Sequence, residues 1–302
     1  MKILFVATGL WGEEGSTGRL APFQQADLDL LRDLGYEVRD VLWRGRPVLR
    51  LLRGARWADL VYCWNISDHA FFASFAAKKL ACVVGGYEFA NLPEYHYGNL
   101  ISKRMRAITK WVWRNADALL YVDPSLSEEA TQAFGHPGNG YYVPTGYDHD
   151  YWTPNDARRR DIVITVCHVP TVDRLKLKGV DLFFEAARMN PDIEFHIAGD
   201  VPESALRPAR SPNIRIHGWL DADQLREFYR QAKVYCQMSL HEGLPNAVCE
   251  AMLCGCVPVG VAVNGIPTAI GDTGFIVERK PESVSEGIRA AMASDQLKEK
   301  AR

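Results

Sequence analysis

Short apolar runs alternate with longer stretches of helical period along most of the chain. Residues 2–7 (KILFVA) have strand length and close at Thr8-Gly9. Residues 20–34 repeat apolar positions at helical spacing and end at Gly35, whose missing Cβ suits a helix C-terminus. Residues 37–42, 59–63, 81–84 and 118–122 read as further strands, with helical stretches near 68–79 and 100–115 between them. This order predicts a parallel sheet covered by helices on both faces.

The period fails over 135–160 (GHPGNGYYVPTGYDHDYWTPNDARRR), where Gly, Pro, Asn and Asp dominate, so this stretch is predicted to be a linker. A second alternation follows. Strands are predicted at 161–166, 193–198, 213–217, 233–237 and 257–261, and helices at 179–189, 221–232, 245–254 and 282–301. The expected organisation is two Rossmann-like α/β domains, 1–150 and 151–302. Two such domains in tandem predict a cleft between them, with ligands at the carboxyl ends of the strands.

Composition narrows the classes. At 302 residues the chain is long enough for two full cores without staples. Lys plus Arg is 35 and Asp plus Glu is 37, which lacks the basic surplus of a nucleic-acid binder. No apolar run reaches the length of a membrane span. The N-terminal run MKILFVATGLWGEEGS is short and lacks a small-residue cleavage site, so it reads as a buried strand and not a signal peptide. Seven cysteines (63, 82, 167, 236, 249, 254, 256) sit mostly in apolar runs, as reduced thiols of a cytoplasmic protein would. Cys254 and Cys256 have the wrong spacing for a zinc clamp.

The richest chemistry lies in SLHEGLPNAVCEAMLCGCVPVG, residues 239–260. Gly243 allows a tight turn, and Pro245 suits a first helical turn because its missing N–H is not needed there. The amides of Leu244, Asn246 and Ala247 then become candidates to hold a phosphate or diphosphate at the positive end of the helix. Glu242 and Glu250 flank this start. A carboxylate beside a diphosphate would be repelled, so hydroxyls are the sensible partners: a ribose diol for Glu250, and the hydroxyls of whatever lies beyond the phosphates for Glu242. A helix start with two hydroxyl-binding carboxylates describes a nucleotide-sugar site. The spacing alone is weak, since with 17 Glu in the chain about one such pair arises by chance. The bland alternative is a surface loop and a Glu that complements the helix dipole.

In its wider context EGLPNAVCEAMLCGCVPVG resembles the E-x7-E signature of retaining glycosyltransferases of the GT-B fold, in the large GT4 family. FHIAGD (195–200), IRIHGWL (214–220), GIPTAIGDTGFIV (265–277) and VPTGYDHDYW (143–152) extend the resemblance over most of the chain. It implies transfer of a hexosyl group from a nucleoside diphosphate sugar to a glycan, lipid-linked or small-molecule acceptor, without metal or cofactor. It also implies a basic pair on the donor diphosphate after the first strand of the C-terminal domain. In VCHVPTVDRLKLKGVD, Lys178-Gly179 fits the family's Lys-Gly, while Cys167-His168 stands where Gly-Arg is usual. Lys178 is therefore carried over, with Arg174 or Lys176 as a second cation. A solvated basic loop is the alternative. Base recognition is expected from the backbone near Gly218, and Gly12 in TGLWGEEGSTGRL is the candidate for backbone contact with donor phosphate. Glu242 and Lys178 are the expected catalytic pair. In that family the last helix returns toward the N-terminal domain, and this chain ends at Arg302 within a helical pattern.

The N-terminal half departs from the family. No His stands at Gly85-Gly86-Tyr87, leaving Tyr87 or Glu88 as occupants of that space, while His69 and His96 lie on neighbouring loops. A dinucleotide-binding reading fails because Gly9-x2-Gly12-x2-Gly15 does not match G-x-G-x-x-G. Asp148-His149-Asp150 has the form of a metal motif but lies in the predicted linker, where turn chemistry explains it. Two basic stretches remain. Arg44 to Arg56 holds five Arg and no acid, and Lys103 to Arg114 holds five cations around Trp111 and Trp113. They suit a peripheral contact with the inner face of a membrane, a lipid-diphosphate or acidic-glycan acceptor, or simply a solvated face. A non-catalytic nucleotide-sugar or partner-binding module, and an epimerase or hydrolase of the same fold, are the rival functions.

Overall fold

The computed structural model describes all residues except 10, 13–14, 17–18, 46, 137, 156–158, 170, 202–210 and 295–302. The chain divides into two compact units, Met1–Gly146 and Tyr147–Arg302. Each is built on a six-stranded, all-parallel sheet.

Unit 1 contains β1 (Lys2–Ala7), a short hairpin of β2 (Trp11–Gly12) and β3 (Gly15–Ser16), then β4 (Glu37–Leu42), β5 (Leu60–Trp64), β6 (Leu80–Val84), β7 (Ala118–Tyr121) and β8 (Gly140–Tyr142). The sheet order is β4-β1-β5-β6-β7-β8. Its central strands are buried nearly throughout, as continuous runs such as ILFVA and LACVV require when helices cover both faces. Helices Pro22–Asp33, Val48–Trp57, Asp68–Ser74, Lys103–Asn115 and Pro124–Phe134 make the connections. The helix predicted near 68–79 stops at Ser74, and the one predicted from 100 starts at Lys103 with Ser102 capping the Met105 amide.

The predicted linker 135–160 is partly sheet: β8 is the sixth strand of unit 1. Its Gly-Tyr-Tyr is too short to show a period, and as an edge strand it stays exposed, so no apolar run marks it. Helices Val48–Trp57 and Pro124–Phe134 were not predicted either, the first because its Arg spacing reads as a charge run.

Unit 2 contains β9 (Arg160–Val166), β10 (Glu194–Ala198), β11 (Ile214–Ile216), β12 (Ala232–Gln237), β13 (Val257–Val261) and β14 (Phe275–Val277), in the order β11-β10-β9-β12-β13-β14. Helices Val172–Leu177, Val180–Met189, Ala222–Gln231, Asn246–Leu253, Ile266–Ile270 and Pro281–Ala293 connect and cover it. One continuous core holds Val163, Phe183, Phe195, Tyr235 and Val259, each at most 1 % exposed. The last predicted helix ends at Ala293, and its remainder from 295 lies outside the described residues.

The order of the second sheet matters for function. The chain builds β9, β10 and β11 in one direction, then returns to place β12 on the other side of β9. Connections leaving β9 and β12 therefore diverge to opposite faces and open a crevice at the carboxyl ends of these two strands. The loops after β9 and β12 carry Lys178 and Glu242.

Candidate functional site

The β9 loop is tightly constrained. Thr171 caps a short helix by accepting the Arg174 amide at 3.3 Å, and the helix ends after Leu177. Lys178 closes it and Gly179 starts the next helix with φ +69°. A Cβ on Gly179 would lie 2.1 Å from the Met238 carbonyl oxygen, so only glycine lets the β12 loop pass this close. The Leu240 amide donates to the Leu177 carbonyl at 2.8 Å and locks the two loops together. This segment is thus an ordered helix–glycine–helix joint, with Lys178 at its corner.

Lys178 Nζ lies 2.7 Å from Glu242 Oε1, and their side chains are 26 % and 13 % exposed. The same carboxylate oxygen accepts the Gln237 side-chain amide at 2.9 Å. That amide also donates to Ser239 Oγ at 2.8 Å, while the Tyr235 hydroxyl donates to Gln237 Oε1 at 2.9 Å. From the other side, the Glu242 amide donates to Asn264 Oδ1 at 3.3 Å. Glu242 is therefore held by the ends of β12 and β13 as well as by Lys178. A partly buried pair with satisfied neighbours keeps its geometry without depending on water.

Four residues after Glu242, helix Asn246–Leu253 begins, with Pro245 as its cap residue. The Pro245 carbonyl takes the Val248 and Cys249 amides at 3.0 and 3.3 Å. The amides of Asn246 and Ala247 precede Val248, the first amide to donate within the helix, and, with Leu244, sit at its positive end. The Asn246 side chain is fixed by the Tyr147 hydroxyl, which donates to Oδ1 at 2.7 Å. Glu250 follows one turn in and accepts the Tyr229 hydroxyl at 3.1 Å. Burial pushes its carboxyl up to about 7, opposed by that hydrogen bond.

Of the other predicted residues, Arg174 and Lys176 lie on helix Val172–Leu177, so three of the cations named from sequence share one joint. The Lys176 carbonyl accepts Arg279 Nη2 at 3.1 Å, and Arg279 Nε reaches the Met238 carbonyl at 3.3 Å. Gly218 follows β11 with φ +68°, and its carbonyl accepts the Gly199 amide at 2.7 Å. Gly12 lies in the β2–β3 hairpin of unit 1. Asp148 forms a turn, accepting the Asp150 and Tyr151 amides at 3.0 and 3.1 Å.

Glu88 does not present its carboxylate to a ligand. It is fully buried, with Oε1 accepting Asn65 Nδ2 at 2.8 Å and the Ile66 amide at 3.3 Å, and Oε2 accepting the Gly86 amide at 2.8 Å. Tyr87 is 40 % exposed and packs edge-on against Tyr97. His69 is buried, its Nε2 bonded to the Trp64 carbonyl at 3.0 Å, and burial drives its pKa down to about 4, so it is a neutral core residue. Gln237, Asn264 and Arg279 were missed by sequence reasoning. A Gln ending a buried strand was the one trace of the first, while the other two act only through the fold.

Residues 163–294 match the family model described as Glycosyl transferases group 1. The D-inositol 3-phosphate glycosyltransferase of Geodermatophilus obscurus is 33 % identical over 208 residues, 57 % of this chain and 45 % of that protein. A human phosphatidylinositol N-acetylglucosaminyltransferase subunit is 29 % identical over 161 residues, 50 % of this chain and 33 % of that protein. The chain thus spans less than half the length of these curated relatives. Among solved structures, Anabaena HepE in complex with UDP-glucose superposes with a TM-score of 0.76 at 15 % identity, covering 100 % of this chain and 92 % of that one. Sucrose-phosphate synthase from Thermosynechococcus elongatus gives 0.75 at 13 % identity, covering 100 % and 94 %. Over residues 163–294 the chain therefore matches the Glycosyl transferases group 1 family, and as a whole it has the two-unit α/β fold of GT-B glycosyltransferase structures.

Proposed function

We propose that this protein is a retaining glycosyltransferase that moves a hexosyl group from a nucleoside diphosphate sugar to an acceptor hydroxyl, without a metal ion. The observation that carries the reading is the Lys178–Glu242 pair, 2.7 Å apart at the crevice end of β9 and β12, beside the start of helix Asn246–Leu253. One cation and a carboxylate meet beside a set of helix amides. Each matches a different part of a nucleotide sugar.

In this reading Lys178 and the amides of Leu244, Asn246 and Ala247 hold the diphosphate, with Arg174 or Lys176 as a second cation. Glu250 takes the ribose hydroxyls and the backbone at Gly218 takes the base. Glu242 holds the sugar hydroxyls and steadies positive charge on the ring. The bond from the anomeric carbon to the diphosphate oxygen breaks, and the acceptor oxygen bonds to that carbon on the same face. The acceptor proton passes to the leaving diphosphate. Charge on that leaving group grows in the transition state, where a fixed ammonium and fixed amides stabilise it most. HepE binds UDP-glucose, which favours a uridine diphosphate sugar as donor. Two curated relatives are named for inositol-based substrates, which favours a polyol, free or lipid-borne, as acceptor.

The test is calorimetric binding of UDP, GDP, ADP, CMP and TDP without added metal. One nucleotide, with UDP favoured, is expected to bind at micromolar level, and Lys178→Ala and Glu250→Ala should each weaken it at least tenfold. Binding of none below millimolar levels would overturn the reading. Donor binding without sugar transfer to any polyol would move it to a non-catalytic binding module.

A further inference from the structure

Helices Val48–Trp57, Asp68–Ser74 and Lys103–Asn115 lie side by side in unit 1, the middle one packing against both neighbours. Each outer helix buries one face: Leu51 and Ala55 in the first, Ile108, Val112 and Trp113 in the second. The opposite faces are cationic. The first exposes Arg50, Arg53 and Arg56, and the second exposes Lys103, Arg106, Lys110 and Arg114. Neither helix contains an acidic residue. Among the described residues none of these seven cations has an ion-pair partner, whereas Asp68 of the middle helix is taken by Arg104 at 2.8 Å. Elsewhere basic side chains are commonly matched, as in Arg32–Asp40, Lys79–Asp117, Arg160–Glu194 and Arg289–Asp192.

The same surface carries large apolar side chains in the open. Leu49 is 67 % exposed, Phe75 60 % and Trp111 43 %. Phe75 and Trp111 stack with centroids 5.7 Å apart, Phe71 packs at 5.0 Å from Phe75, and the Trp111 indole N–H is already satisfied by Ser74 Oγ at 3.2 Å. The aromatic group is thus ordered before any partner arrives. Unpaired like charge repels itself, and exposed aromatic rings order water, so both features cost stability in the free protein.

We infer that the outer face of these three helices docks on an anionic lipid surface, with the cations over the headgroups and Leu49, Phe75 and Trp111 entering the interface. The charge alone would suit any polyanion. The exposed apolar side chains favour a bilayer over a soluble acidic glycan. This inference does not depend on the proposed transferase activity.

Vesicle sedimentation tests it. The full chain is expected to bind vesicles of 70 % phosphatidylcholine and 30 % phosphatidylserine at 0.1 M NaCl at least tenfold better than pure phosphatidylcholine, and to be released at 0.5 M. The triple variant Arg53→Glu, Arg106→Glu, Lys110→Glu should lose at least tenfold. Phe75→Ala with Trp111→Ala should lose several-fold at unchanged charge. Thermal unfolding controls for folding, and Leu49→Gln replaces the aromatic pair should that variant unfold. Equal binding to both vesicle types, no binding at 0.05 M NaCl, or unchanged binding by the charge variant would overturn the inference. So would heparin binding that the aromatic variant retains in full while vesicles fail to bind, an outcome pointing to an acidic glycan.

Discussion

Glu250 shows how one residue can be read by type from sequence yet acquire its chemistry from the fold. Its spacing from Glu242 suggests a hydroxyl-binding carboxylate, but burial beside Tyr229 lifts its pKa to about 7. The unfolded chain gives up this proton near 4.5 and the folded chain near 7, so stability falls as pH rises through that window and stays reduced above it. Replacing Glu250 by Gln removes the penalty. Glu250→Gln is expected to raise the unfolding free energy at pH 8 by up to about 3 kcal/mol, with little gain at pH 4.5, read by urea unfolding at both values. Glu88 is a structural residue, because its oxygens satisfy three donors in two loops. Glu88→Ala would strand those donors in the interior. It should cost roughly 3 kcal/mol or more in the same assay, far beyond an ordinary surface change.

At the scale of elements, the informative unit is the joint between helices Val172–Leu177 and Val180–Met189. Gly179 there combines a left-handed backbone with no room for a side chain. Gly218 has nearly the same φ, but nothing lies within 4 Å of where its Cβ would be. The two glycines separate conformational strain from steric exclusion. Gly218→Ala should cost about 1 kcal/mol, the strain alone, whereas Gly179→Ala should cost roughly 3 kcal/mol or more and displace Lys178 from Glu242. Denaturant midpoints measure both. A Gly179→Ala protein as stable as Gly218→Ala would show that the β12 loop yields easily, and that the close approach of the two loops does not fix the pair.

At the scale of the whole molecule, every predicted donor residue but Gly12 lies in Tyr147–Arg302, which has its own sheet and its own continuous core. Residues 147–302 are therefore expected to fold alone, with a cooperative thermal transition followed by circular dichroism. The five cysteines in these residues are unpaired, so reducing agent should leave that transition in place.

The strands of both sheets were legible because a buried parallel strand must be apolar along its whole length, and runs such as KILFVA and DIVITV can be little else. The helix start at Asn246 and both carboxylates could be named for a similar reason: turns, caps and helix ends are local, and their chemistry is written in neighbouring letters. Lys178 was named only through the family resemblance. Short or exposed elements escaped, among them β8, β14 and helix Val172–Leu177, because three to six residues do not complete a period. What only the tertiary structure decided is which distant residues meet. Lys178 and Glu242 are 64 positions apart and come within 2.7 Å because β12 returns to the side of β9. Gln237, Asn264 and Arg279 support that meeting through contacts no spacing encodes. Glu88 was turned inward by the donors around it, an outcome set by packing and not by residue type.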